Sequence, residues 1–180
     1  MEPDELERFE AIMLPHLDAA YTLARYLTGD ALDAEDVVQD AALRALKYFS
    51  GFRGHDAEDG RAWFLAIVRN TARTARQRRR ADRADTAFDE DQHSDAIAED
   101  NPALQLDRTE TRARLRTALE ELPQDFREVI VLREIQGLSY QEISEVTDAP
   151  VGTVMSRLSR ARRRLQQLLV RGARTGDRVR

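Results

Sequence analysis

The stretch from Ser139 to Arg164, SYQEISEVTDAPVGTVMSRLSRARRR, constrains the fold of this chain more than any other. Ser139 and Glu142 have the S-x-x-E spacing of a capping box. The Ser hydroxyl accepts from the backbone N–H of Glu142, and the Glu carboxylate accepts from the N–H of Ser139. That spacing predicts the start of a short helix with Tyr140, Ile143 and Val146 along one face. Thr147-Asp148-Ala149-Pro150 ends it, because proline disfavours helical geometry in the residue before it. Pro150 and Gly152 lead into a second, longer helix. Val154, Leu158, Ala161, Leu165 and Leu168 recur there at helical spacing and face a core. Thr153, Ser156, Arg157, Arg160, Arg163 and Arg164 share the opposite face.

A short capped helix, a turn and a basic second helix make a helix-turn-helix that offers its second helix to the major groove of DNA. Early positions on that helix reach base edges, where Arg can bond guanine in bidentate fashion. Later arginines meet phosphates, which position without reading sequence. The plainer alternative is an amphipathic helix with a solvated arginine face. The capping box, the turn and the divided faces together favour DNA.

LSYQEISEVTDAPVGTVMSRLSRAR resembles the C-terminal DNA-binding domain of bacterial extracytoplasmic-function (ECF) sigma factors. The resemblance makes Thr153, Met155, Ser156, Arg157, Arg160, Arg163 and Arg164 the expected contacts to a −35 promoter element. Met155 stands where many relatives carry Lys or Arg, and Ser159 replaces a residue that is often larger. The family's −35 preference therefore does not carry over.

Net charge is −5, so DNA contact must come from local basic patches rather than a uniformly basic surface. The absence of cysteine excludes disulfides, thiolate metal sites and thiol switches. His16, His55 and His93 lie far apart in sequence, and no metal or cofactor is expected. No apolar run is long enough to span a bilayer, and the acidic start is unlike a signal peptide. The expectation is a soluble, cytoplasmic, all-α protein without enzymatic activity, since no nucleotide-binding Gly-rich loop or catalytic constellation is present.

Along the chain, Phe9, Ile12, Met13, Leu17, Ala20, Tyr21, Ala24 and Leu27 keep helical spacing, broken at Pro15. Gly29 reads as the residue just past a helix end. Asp33 is expected to begin a second helix, with Val38, Ala41, Ala42 and Ala45 inward. Asp36, Gln39, Asp40, Leu43 and Arg44 form its mixed outer face, which on physical grounds alone is a solvated surface. DAEDVVQDAALRAL is similar to the sigma-factor helix that docks on the clamp coiled coil of the polymerase β′ subunit, and the resemblance turns those five residues into a polymerase-binding surface.

Residues 48–60 are loop-like, with Phe49, Phe52 and Arg53 among glycines. These aromatics can stack on unpaired bases or tuck beneath the next helix. In the family this loop captures a flipped base of the −10 element, although the acidic run Asp56-Ala-Glu-Asp59 is unlike a DNA-facing surface. RAWFLAIVRNTAR, starting at Arg61, resembles the −10-recognition helix. Trp63, Phe64, Ile67 and Val68 read as core. Phe52, Arg53, Arg69, Asn70, Arg73, Arg76 and Gln77 become the expected −10 contacts.

Residues 82–108 lose periodicity and are rich in Asp and Glu, the composition of a flexible linker. Asp89-Glu-Asp91 is expected to compete with DNA for the basic helices. From Thr109 periodicity returns. Leu115, Ala118, Leu119 and Leu122 mark one helix. Pro123 is expected at the first position of the next, with Phe126, Val129, Ile130 and Ile135 inward and Gly137 at its end.

The organisation predicted is thus a sigma region 2-like domain (1–81), an acidic linker (82–108), a region 4-like helix-turn-helix domain (109–170) and a frayed basic tail (171–180). The partners implied by the resemblance are core RNA polymerase (β′ clamp helices and β flap), promoter DNA and an anti-sigma factor. Two other classes fit parts of the chain. A one-component helix-turn-helix regulator needs only the C-terminal half and leaves residues 31–80 without a role. A sigma-like decoy that sequesters an anti-sigma factor has no use for Asn70, Arg73, Arg157 and Arg160.

Overall fold

A computed structural model describes residues 3–85 and 102–176, and no strand occurs among them. Eight α-helices run through these residues: α1 (Pro3–Met13), α2 (Leu17–Thr28), α3 (Ala31–Tyr48), α4 (Ala57–Asp85), α5 (Pro102–Glu120), α6 (Gln124–Ile130), α7 (Tyr140–Thr147) and α8 (Val151–Gly176). Pro15 splits α1 from α2 within a single 3-10 turn, Leu14–His16. Gly29 adopts φ 83° and returns its N–H to the carbonyl of Arg25, as a residue without Cβ can do at a helix end.

The start of α3 differs from expectation. Asp30, rather than Asp33, is the cap, and its carboxylate accepts from the N–H of Asp33 at 3.1 Å. Ala41 and Ala45 face inward as expected, but Val37 takes the place expected of Val38. Ala34, Val37, Ala41 and Ala45 are buried, whereas Val38 and Ala42 are only half-buried. Both valines are apolar, but Val37 lies three residues after Ala34 and four before Ala41, on the stripe those alanines bury, and Val38 lies one position round the helix.

In the N-terminal half α2, α3 and α4 pack on one another, with α1 laid against α4. Phe49 is fully buried, edge-on to Phe9 at 5.2 Å and stacked on Phe52 at 5.7 Å. Gly60 lies in the first turn of α4, where a Cβ would come within 2.3 Å of the Ile12 Cγ2. The close approach of α1 to α4 therefore requires glycine. The acidic run beside it has a structural use. Asp56 accepts from the N–H of Asp59 at 3.0 Å, and Asp59 accepts from the N–H of His55 at 2.7 Å, satisfying backbone donors around the start of α4.

In the C-terminal half α6 continues without a break into a π-helical turn, Val131–Ile135. Ile135, expected inside, is exposed, because the wider π turn moves it off the buried face. Pro123 precedes the first helical residue of α6 rather than occupying it. Arg127 is buried beneath α5 and donates to the carbonyls of Leu119 at 2.7 Å and Leu122 at 3.3 Å, and to that of Glu120. A cation there satisfies the orphan carbonyls of a helix C-terminus. Burial, with Arg76 nearby, lowers its pKa to about 10.

Helix occupies both ends of the stretch expected to be linker. α4 runs to Asp85, and α5 begins at Pro102, ahead of Thr109. Residues 86–101, including Asp89-Glu-Asp91, lie outside the described residues. α8 continues through most of the expected tail, to Gly176.

The two halves pack on each other in this structure. α4 lies against α7, and α2 contacts α6 and the π turn. Arg61 donates to the carbonyl of Gln136, whose side-chain amide donates to the carbonyl of Ala19 at 3.3 Å.

Candidate nucleic-acid interface

The helix-turn-helix forms as its local chemistry requires. Ser139 Oγ accepts from Glu142 N at 3.2 Å, and Glu142 Oε2 accepts from Ser139 N at 2.7 Å. Burial raises the Glu142 pKa, but the bonds from the Ser139 backbone and hydroxyl, with Arg61 nearby, outweigh it and hold the carboxyl below its ordinary value. Asp148 takes the left-handed conformation at φ 50° and ends α7. Ser144 Oγ donates to the carbonyl of Ala149 at 2.6 Å and ties the turn to α7.

On α8, Val154, Leu158, Ala161 and Leu168 are buried. Met155, Ser156, Arg160, Arg163 and Arg164 are exposed, and Thr153 and Arg157 are half-buried. The helix therefore presents Arg160, Arg163 and Arg164 along one exposed side, with Met155 at its leading end. Arg157 is held by Asp125 at 3.2 Å. Arg162 pairs with Glu134 at 2.6 Å, and that bond raises its pKa.

The candidate −10 residues fall into separate environments. Asn70 and Gln77 on α4 are exposed, as is Arg53 in the preceding loop. Phe52 tucks against Trp63 at 4.9 Å and Phe49 at 5.7 Å, so its ring is packed in the protein rather than presented. Arg8 fastens the same loop by donating to the Gly54 carbonyl at 2.6 Å. Arg76 is half-buried, and burial followed by repulsion from Arg80 lowers its pKa.

Arg69 and Arg73 point toward α6. Arg69 is 6% exposed and donates from Nε to Glu128 at 2.8 Å. Arg73 donates from Nε to the other oxygen of Glu128 at 2.7 Å, and its terminal nitrogen bonds Asp125. Burial lowers the Arg73 pKa, but the two carboxylates more than compensate and raise it overall.

The candidate polymerase surface is one continuous strip. Asp36, Gln39, Asp40, Leu43 and Arg44 are all exposed along α3, opposite its buried alanines. Leu43 is 65% exposed, an apolar side chain standing among charges. Among the described residues no cluster of His, Asp and Glu is placed to hold a metal ion, and no helix is long and apolar enough to cross a membrane.

Glu128, Asp125 and Arg127 are absent from the residues singled out in the sequence. The structure shows why they matter. Arg127, Glu128, Val129 and Ile130 are consecutive and all buried, so the second half of α6 is enclosed, while Asp125 in its first turn stays partly exposed. A short helix so enclosed must pair any charge it carries.

Two family models match the chain, one in each half. Residues 12–82 match the family model Sigma-70 region 2, and residues 112–165 match Sigma-70, region 4. The chain is 34% identical over 168 residues to the RNA polymerase sigma-H factor of Pseudomonas aeruginosa, covering 89% of this chain and 86% of that one. It is 37% identical over 149 residues to the ECF RNA polymerase sigma-E factor of Escherichia coli K12, covering 79% and 76% respectively. Among solved structures it is similar to the sigma factor RpoE in complex with the anti-sigma factor NepR from Bartonella quintana. That match has a TM-score of 0.70 and 31% identity, over 87% of this chain and 93% of that one. CnrH in complex with the cytosolic domain of CnrY matches at a TM-score of 0.61 and 30% identity, over 89% and 86%. The chain therefore belongs to the ECF sigma factors of the sigma-70 family, proteins that direct RNA polymerase to promoters.

Proposed function

We propose that the exposed strip on α3, Asp36, Gln39, Asp40, Leu43 and Arg44, docks on the β′ clamp helices of core polymerase. The C-terminal half then meets the β flap and lays α8 in the major groove of the −35 element. Arg157 and Arg160 read base edges. Thr153, Met155 and Ser156 fill the groove beside them, and Arg163 and Arg164 hold phosphates. In the N-terminal half, Arg69, Asn70, Arg73, Arg76 and Gln77 of α4, with Arg53 of the preceding loop, engage the −10 element and assist its opening, while Phe52 packs inside on Phe49 and Trp63. The protein works in the cytoplasm without catalysis of its own.

The observation that carries this reading is α8, whose apolar stripe is buried while Met155, Ser156, Arg160, Arg163 and Arg164 remain exposed on the other side. The one-component regulator is disfavoured because it gives no use to the region 2 match over residues 12–82. The decoy is disfavoured by the arginines of α8, which sequestration of a protein partner does not need. An anti-sigma factor is a further expected partner, since two structurally similar proteins are described in complexes with proteins of that kind or with a cytosolic domain. The test is run-off transcription with core polymerase. Added protein should produce a defined start site, and an Arg160→Ala, Arg163→Ala, Arg164→Ala variant should not.

A further inference from the structure

Of the exposed residues at the start of α8, Gly152, Met155, Ser156 and Ser159, only Met155 is large. It is 52% exposed, and the buried stripe of the helix is made by Val154, Leu158, Ala161 and Leu168 instead. A single apolar side chain at a surface is ordinary, but the surroundings of this one are not. On a helix the nearest neighbours of a residue stand three and four positions away. For Met155 the outer ones are Gly152 and Ser159, with Ser156 beside it. All three are short, so the thioether stands above them. A Cβ added at Gly152 would meet nothing within 4 Å. Glycine is the poorest helix former after proline, and no internal contact calls for it here. The space it leaves open faces outward, over the first turn of α8, where an approaching surface comes close to the backbone.

The charge around Met155 is equally specific. Arg162, two turns further along the same side of the helix, is taken by Glu134 at 2.6 Å. Arg160, five positions on, is turned about 140° away around the helix axis. Met155 therefore stands in an uncharged patch at the leading end of a basic helix. The major groove offers such a patch one apolar feature. Every base presents hydrogen-bonding groups there, and thymine adds a C5 methyl group. A thioether is only a weak acceptor, so what it gains in the groove comes from apolar contact.

We propose that Met155 selects a thymine in the −35 element by packing its thioether on the C5 methyl group. The proposal rests on the reading that α8 lies in the major groove of that element, and it names the group that one of its side chains recognises. Lys or Arg at this position would bond a guanine edge. This chain gives up that bond and takes a methyl contact in its place.

The test uses full-length protein with core RNA polymerase and a duplex promoter library randomised across the −35 region. Sequences retained by wild type should share a thymine at one fixed position. Deoxyuridine in place of that thymine removes the methyl and changes no hydrogen-bonding group. It should lower affinity about fourfold, the worth of one buried methyl group. Met155→Ala should bind the thymine and deoxyuridine duplexes equally, and Met155→Leu should keep most of the difference. Met155→Lys should exchange the thymine for guanine. The altered side chain is exposed, so these variants should melt as wild type does. Equal binding of both duplexes by wild type at every retained thymine overturns the proposal. A methyl preference that persists in Met155→Ala also overturns it. An Arg160→Ala, Arg163→Ala, Arg164→Ala variant separates the underlying reading. If it binds the selected duplex as wild type does, α8 is not in the groove and both fall. If it loses binding while the methyl preference is independent of Met155, the placement of α8 stands and the thymine contact alone falls.

Discussion

Arg69 of α4 and Glu128 of α6 are 59 positions apart in sequence and form a buried ion pair at 2.8 Å across the seam between the two halves. Arg69→Ala removes one partner and leaves Glu128 dependent on Arg73. A charged group losing a buried partner costs about 1–3 kcal/mol or more. The denaturation midpoint should fall accordingly, while Asn70→Ala, at an exposed neighbour, should stay within about 0.5 kcal/mol of wild type.

The capping box at Ser139 and Glu142 has a definite pH signature. The folded-state pKa of Glu142 lies below its ordinary value. A depressed carboxyl contributes stability that is fully present above its unfolded pKa and is lost as pH falls through the folded one. Glu142→Gln cannot titrate there. The stability advantage of wild type over Glu142→Gln, measured by urea unfolding, should therefore be largest at neutral pH and shrink in acid.

Gly60 is a packing requirement. An added Cβ would meet Ile12 Cγ2 at 2.3 Å and Met13 Cε at 2.9 Å, and both side chains are buried. Gly60→Ala gains helix propensity of about 1 kcal/mol, but overpacking costs about 1–3 kcal/mol. The expected net result is a lower melting temperature, checked calorimetrically.

Arg160 is exposed, while Arg157 is held by Asp125. Arg160→Ala should cost about 1–3 kcal/mol and relax preference at one base of the −35 element. Binding titrations against a set of singly substituted sites distinguish this from phosphate contact, which weakens all sites alike.

Much of this protein is legible in its sequence because its signals are local. Ser139 and Glu142 are three positions apart, and their bonds are those of any capping box. Gly29, Pro15 and the apolar stripe of α8 act through their own helices. What was not legible depends on contacts distant in sequence. Arg69 and Arg73 look like solvent-facing arginines until α6 is placed against them. Gly60 reads as a loop glycine until α1 lies across it. Val37 rather than Val38 is inward because it shares a face with Ala34, and packing of α3 on α2 and α4 buries that face. Ile135 is turned outward by a π turn that no residue pattern announces.

The surface on α3 carries the central claim, that this chain is read by polymerase before it reads DNA. Asp36, Gln39, Asp40 and Leu43 are exposed, and the core beneath them is supplied by Ala34, Val37, Ala41 and Ala45. A double variant, Asp36→Arg with Asp40→Arg, should keep its helicity and melt within about 0.5 kcal/mol of wild type per exposed change. It reverses the charge offered to the partner, where like charges opposed across an interface cost several kcal/mol. The direct measurement is the affinity of this folded double variant for core RNA polymerase. A loss of binding, together with loss of promoter-specific transcription, is the expected result. Affinity equal to wild type would contradict the assignment of α3 as the docking surface.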